Sequence, residues 1–155
     1  MRKYCIKISM WNFFFLNLLG ILLAGGSECS FPMPTPKYKV RIEQRMMVPM
    51  RDGVMLSTDL YFPERAGENL PVILVRTPYN KNGWRESKPS DPRYAAYIFA
   101  GQGYVVAVQD VRGKFESEGE FIVSADDAKD GYDTVTWLAT QPWYSGKVGT
   151  YGWSY

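Results

Sequence analysis

Hydrophobic and polar positions change rhythm along this chain, and each change marks an element. From Tyr38 to Met47 bulky and charged residues alternate, and Val54 to Phe62 does so loosely, with Arg51-Asp52-Gly53 between them as a turn signal. That alternation predicts an antiparallel β-hairpin. The rhythm then becomes continuous at Pro71-Val72-Ile73-Leu74-Val75 and again at Tyr104-Val105-Val106-Ala107-Val108. Unbroken β-branched runs suit strands buried on both faces, as in a parallel sheet covered by helices. Between them, Arg93 to Gly101 carries Tyr94, Tyr97, Ile98 and Phe99 at a spacing that predicts a crossover helix. Ser124 to Gln141 is the strongest helical segment. Ser124 is the predicted N-cap, Asp126 and Asp127 fall in the first turn where the helix dipole favours negative charge, and Gln141-Pro142 ends it. Thr134, Trp137 and Leu138 recur along it near helical spacing. Lys147 to Tyr151 is then expected as a third central strand running into Gly152-Trp153-Ser154. The whole reads as an α/β fold, a hairpin followed by parallel strands with crossover helices, with no internal repeat.

The start of the chain follows a different rule. Basic Arg2, Lys3 and Lys7 precede an apolar stretch from Met10 to Ala24, which closes on Ala24-Gly25-Gly26-Ser27. This order is that of a secretory signal peptide, residues 1 to 26, with cleavage after Gly26 or Ser27. Two alternatives stand beside export: an uncleaved membrane anchor, against which Asn12, Asn17 and Gly20 interrupt a short apolar run, and a lipoprotein at Cys29, for which Glu28 is a poor preceding residue. Residues 27 to 37 form a proline-rich lead-in, expected to be extended rather than packed. Residues 38 to 155 form the α/β region.

Composition alters this picture little. Hydrophobic residues at 46% and charged ones at 22% are ordinary for a globular protein and exclude disordered and collagen-like classes. The formal charge of +2 arises in the leader: three of the 18 basic residues lie there and no acid does, leaving 15 basic against 16 acidic residues. No basic excess remains to neutralise phosphates, so nucleic acid is not an expected partner. Cys5 and Cys29 both lie before the α/β region, which therefore has no internal disulfide pair. Asp126-Asp127 reads as a helix start rather than a metal site, and no metal or cofactor is expected.

The chemistry centres on Ser154. Gly152 two residues before it permits the close backbone approach of a sharp strand-to-helix turn, which would hold the serine hydroxyl at the carboxyl end of a strand. A serine needs a base to take its proton, most often an imidazole, and the 155 residues contain no histidine. By residue type alone, Gly-x-Ser is also what a loop serine beside a glycine looks like. Its position after a predicted strand in a strand-helix series favours the turn.

Six blocks carry a resemblance: Val48-Pro49-Met50-Arg51-Asp52-Gly53-Val54, Thr58-Asp59-Leu60-Tyr61-Phe62-Pro63, Arg76-Thr77-Pro78-Tyr79-Asn80, Gln109-Asp110-Val111-Arg112-Gly113-Lys114, Ser117-Glu118-Gly119-Glu120-Phe121 and Gly152-Trp153-Ser154-Tyr155. In this order they resemble the X-prolyl dipeptidyl peptidase-like serine hydrolases, in particular the branch with cocaine esterase, glutaryl-cephalosporin acylase and the α-amino-acid ester hydrolases. The resemblance covers roughly residues 45 to 155. It implies the N-terminal portion of an α/β-hydrolase fold, reaching as far as the nucleophile elbow, whose pattern is Gly-x-Ser-Tyr-x-Gly. Ser154 would be the nucleophile, with the Tyr79 hydroxyl and the Tyr155 backbone N–H as oxyanion-hole donors. Read from its type alone, Tyr79 is instead a turn tyrosine with its ring on the surface. Asp110 and Arg112 are assigned to structure, as an ion pair and loop hydrogen bonds under the cleft, and Ser117-Glu118-Gly119 to a turn.

The implied reaction is acyl transfer from an ester, amide or short peptide substrate to water. An aspartate and a histidine are expected beyond Tyr155, together with a helical cap and a jelly-roll domain, so the chain by itself is expected to be inactive. The alternatives are an X-prolyl dipeptidyl aminopeptidase using the same nucleophile, and a non-catalytic secreted product. After signal cleavage no stable membrane insertion is expected, and the sequence leaves oligomeric state open. An α/β domain of this type commonly needs about 200 residues or more, so the sheet is expected to end in an unpaired edge strand and the isolated piece to be marginal or to aggregate.

Overall fold

The structure, a computed structural model, describes residues 33–83 and 91–155. The proposed signal peptide, its alternatives as anchor or lipoprotein, and the first part of the lead-in lie outside the described residues. Five strands form one sheet: β1 (Val40–Pro49), β2 (Met55–Pro63), β3 (Leu70–Thr77), β4 (Val105–Asp110) and β5 (Tyr144–Thr150), in the order β1-β2-β4-β3-β5. Two helices, α1 (Pro92–Gly101) and α2 (Asp127–Ala139), connect β3 to β4 and β4 to β5. β1 and β2 form the expected antiparallel hairpin, β2 pairs antiparallel with β4, and β3 pairs parallel with both β4 and β5.

The continuous apolar runs are buried on both faces, for the anticipated reason. Val105 and Ala107 of β4 join Leu60, Val72, Leu74 and Leu138 in one core cluster beneath α2. Their neighbours Val106 and Val108 point the other way and pack with Tyr61, Val75, Ala96 and Ala100 beneath α1. Opposite faces of a strand are reached by alternate residues, so a run with no polar member requires a helix on each side.

Three expectations need correction. β5 is not central among the described strands but forms the unpaired edge also expected: β3 lies on one side of it and, among the described residues, no strand lies on the other. The tyrosines and Phe99 of α1 do not form its buried face. Ala95, Ala96 and Ala100 do, and Tyr97 is exposed, because small side chains let the helix lie close to the sheet while the rings pack at its margins, Tyr97 edge-on to Tyr61 and Phe99 to Tyr151. Ser124 does not cap α2; it sits at φ +61° in the preceding turn, and Asp126 occupies the N-cap position without a side-chain bond to the helix amides. The described residues of the lead-in, 33–37, are exposed and irregular, and they are tied to the α/β region, since the Lys37 and Tyr38 amides both donate to the Gly101 carbonyl and Gln102 donates to the Thr35 carbonyl.

Candidate active site

The carboxyl ends of β3, β4 and β5 gather the chemistry of the chain at one edge of the sheet. β5 ends at Thr150, and the Tyr151 amide continues the pairing by donating to the Leu74 carbonyl at 3.0 Å. The backbone then turns sharply. Ser154 has φ +68°, and the Tyr155 amide donates to the Trp153 carbonyl at 2.7 Å. A bond from residue i+2 back to residue i closes a γ-turn centred on Ser154, a rare and strained conformation for a residue with a β-carbon. Gly152 suits this turn on steric grounds: a β-carbon on it would lie 3.1 Å from the Tyr155 carbonyl oxygen, a tight contact. Ser154 itself is exposed.

Tyr79 lies across from this turn. It follows β3 after Thr77 and Pro78, its amide donates to the Thr77 hydroxyl at 3.0 Å, and the residue is 41% exposed. Tyr79, Thr77, Gly152 and Trp153 line one narrow crevice, so the fold brings the β3 loop and the serine turn together. The Tyr155 amide, expected as a second donor, is engaged with Trp153 within the turn. The Tyr155 hydroxyl donates to the Asp127 carboxylate at the start of α2. Burial, then this bond, pushes the phenol up to about 12.

Asp127 also connects the turn to Arg76 at the end of β3, which donates to the Asp127 carbonyl at 2.8 Å and to the Gln109 side chain at 3.0 Å. Burial draws the Arg76 pKa down against the pull of Asp127 and Asp130. Beside these residues a groove of about 670 Å³ runs between β5 and α2, lined by Leu74, Val135, Thr150 and Tyr155 among others.

Asp110 and Arg112 are structural, as expected, but they do not pair with each other. Arg112 is held by Asp130 at 2.7 Å and Asp52 at 2.8 Å, which raises its pKa and pins the hairpin turn to α2. Asp110 accepts the Lys81 amide at 2.7 Å and the Glu116 amide at 3.4 Å, and burial pushes its carboxyl up to about 6. The turn expected at Ser117-Glu118-Gly119 falls just before it, closed by the Ser117 amide on the Lys114 carbonyl at 2.9 Å, and the three residues themselves are irregular with a bend at Gly119. The Ser117 hydroxyl donates to the Asp110 carbonyl and accepts the Ser57 amide, fastening that loop to β2.

Sequence reasoning missed Lys81. Its side chain is 1% exposed, and its ammonium bridges Asp59 at 2.8 Å and Glu116 at 2.6 Å. A faint signal was present, since Ser57-Thr58-Asp59 places consecutive polar residues inside β2, all of them fully buried. A buried acid requires a buried base, and only the fold shows which lysine arrives.

A mixed sheet with a helix on each face and a strained serine turn at the end of a parallel strand defines an α/β hydrolase architecture. The chain belongs to the X-Pro dipeptidyl-peptidase (S15) family, whose model matches residues 52–155. It is 43% identical over 114 residues to the cocaine esterase of Rhodococcus sp. (strain MB1 Bresler), an alignment covering 74% of this chain and 19% of that protein. Among solved structures it is similar to an α-amino acid ester hydrolase, at TM-score 0.59 and 30% identity over 85% of this chain and 24% of that one. It is also similar to an aminopeptidase from a marine sediment Thaumarchaeota archaeon, at TM-score 0.57 and 29% identity over 83% of this chain and 23% of that one. The chain thus spans about a fifth of the length of the curated relative it matches.

Proposed function

We propose that this chain carries the nucleophile and part of the oxyanion hole of a serine hydrolase acting on ester or amide bonds. The observation that supports the reading best is Ser154 itself, a non-glycine residue at φ +68° just beyond the carboxyl end of β5. Strain of that kind, about 1–3 kcal/mol, persists where surrounding structure enforces it, and it keeps a serine hydroxyl clear of the backbone on both sides.

In the proposed reaction the Ser154 Oγ bonds to the substrate carbonyl carbon while its proton passes to a base. No imidazole exists among the 155 residues, so that base comes from outside them. The carbonyl oxygen becomes an oxyanion and accepts a hydrogen bond from the Tyr79 hydroxyl. The Tyr155 N–H joins as a second donor when its turn bond to Trp153 opens or is shared. The C–O or C–N bond then breaks, the leaving group takes the proton, and water hydrolyses the acyl-serine. The leader further supports export as the location of the protein, testable by N-terminal sequencing of the secreted product.

The test is labelling of the product of the whole reading frame with a fluorophosphonate, which phosphonylates activated serines. The expected result is one adduct on Ser154, absent in Ser154→Ala together with hydrolysis of p-nitrophenyl acetate. An adduct on another serine, with full activity in Ser154→Ala, overturns the reading. The family model and the archaeal aminopeptidase favour a second reading, release of X-Pro dipeptides from peptides by the same serine. Comparing an X-Pro p-nitroanilide with simple esters as substrates separates the two.

A further inference from the structure

The segment that carries Tyr79 is held at both ends, and its far end is held by charge. On the near side, the Thr77 carbonyl accepts the Val111 amide at 3.1 Å and the Thr77 hydroxyl accepts the Tyr79 amide. Pro78 fixes its own φ. Asn80 follows at φ +82°, and its carbonyl and side chain accept the amides of Gly83 and Asn82. Two residues after Tyr79 comes Lys81, fastened twice. Its amide donates to the Asp110 carboxylate at the end of β4, and its ammonium passes beneath the loop to Asp59 on β2 and to Glu116.

The surroundings of this ammonium are acidic on several sides. Asp59 Oδ1 also accepts the Arg45 amide at 2.9 Å, presented by a bulge in β1 where Gln44 and Arg45 face a single β2 residue. The Arg45 guanidinium closes the cluster on Glu116 at 2.7 Å. Burial works against the Lys81 charge, but its bonds to Asp59 and Glu116 outweigh it and hold the pKa above that of an ordinary lysine. Glu116 is drawn down to about 2, first by Arg45 and then by Lys81.

A buried ion pair is a poor device for stability, because desolvation costs several kcal/mol per ion and an apolar pair of the same volume often does as well. Its advantage is directional: one ammonium with fixed acceptors on β2 and the Glu116 loop admits a single loop geometry. An oxyanion donor needs that fixity, since its hydrogen bond must be in place at about 2.7–3.1 Å before charge develops, and a misplacement of about 1 Å can cost about 100-fold in rate. We infer that Lys81, clamped by Asp59, Glu116 and Asp110, is a positioning residue that fixes the Tyr79 hydroxyl as an oxyanion donor. The inference rests on the serine hydrolase reading and gives Tyr79 a mechanical partner in it.

The test is a double-mutant cycle on ester hydrolysis by the product of the whole reading frame, using p-nitrophenyl acetate. Lys81→Met should lower kcat about 10- to 100-fold with KM changed by less than about threefold. In a Tyr79→Phe background the same substitution should cost less than about threefold, because there is no hydroxyl left to misplace. A loss through general loosening would appear at the same size in both backgrounds, and that result overturns the positioning role. Where Lys81→Met leaves Asp59 unpaired and fails to fold, Asp59→Asn/Lys81→Met removes both charges and enters the cycle in its place. Undiminished activity in Ser154→Ala would overturn the hydrolase reading as well. With Ser154 essential, additivity sinks the positioning role alone.

Discussion

A β-carbon at Gly113 would lie 2.2 Å from the Phe121 amide nitrogen and 2.5 Å from the Glu120 carbonyl carbon, on a backbone already at φ +68°. At Gly53 the backbone is also left-handed, at φ +86°, but nothing lies within 4 Å. Gly53→Ala should therefore cost about 1 kcal/mol, the conformational term alone, and Gly113→Ala about 3 kcal/mol once displaced backbone is added. Denaturant midpoints compare the two, and equal losses would contradict the steric account. Glu116 gives a prediction in pH. Its folded pKa, about 2, lies below the ordinary value of 4.5, so the stability it contributes is complete above about pH 4.5 and is lost as pH falls towards 2. Glu116→Gln should be less stable than the parent at pH 6, with the gap narrowing by pH 3 and closing only as pH approaches 2 in thermal melts; a gap independent of pH would mean that the carboxylate charge is not what matters. Of these residues the sequence exposed the turn at Gly53. It did not expose the partners of Glu116, which are distant in the chain and meet only when β1, β2 and the β3 loop converge.

Each helix is attached by means that its hydrophobic spacing only partly reveals. α1 begins at an Asp91 cap whose carboxylate accepts the Arg93 amide at 2.8 Å and the Tyr94 amide at 3.3 Å, with Pro92 in the first turn. Asp91→Ala should cost about 1 kcal/mol and speed hydrogen exchange first in the amides of α1. Protection lost evenly across the sheet would count against a capping role. α2 contributes Leu138, fully buried among Leu60, Phe62 and Val105, and Leu138→Ala should cost about 3 kcal/mol in chemical denaturation. The existence of both helices was legible in the sequence, as was the helical recurrence of Thr134, Trp137 and Leu138, of which Thr134 and Leu138 are fully buried and Trp137 half-buried. The inward face of α1 was not, because large aromatics outweigh alanines in a hydrophobic count, whereas the distance of a helix from a sheet selects for small side chains. Nor was the burial of Asp130, which depends on Arg112 and Arg76 reaching it from other elements.

At the scale of the whole molecule, β5 lies at the margin of the sheet among the described residues, with Lys147, Val148, Gly149 and Thr150 exposed. An edge with free backbone groups and apolar side chains is a template for further pairing. A polypeptide of residues 27–155 expressed alone should therefore self-associate in sedimentation velocity, and a soluble monomer with one cooperative thermal transition would contradict this. The same edge carries the serine turn, so whatever pairs or packs beside β5 also borders the proposed site.

The sequence by itself determined the kind and order of the elements, because a period of two, an unbroken apolar run and helical spacing each report how a segment meets its surroundings. Its short motifs also marked the family and the Ser154 turn, since turns and backbone approaches are local and leave glycine and proline at fixed offsets, and through the family resemblance they made Tyr79 a candidate. The tertiary structure decided what depends on residues far apart in the chain. It placed β4 between β2 and β3, turned the alanines of α1 inward, separated Arg112 from Asp110, and delivered a lysine to an aspartate buried in β2. Charge pairing and strand order are settled by which surfaces meet in space, and no periodicity along a chain encodes that.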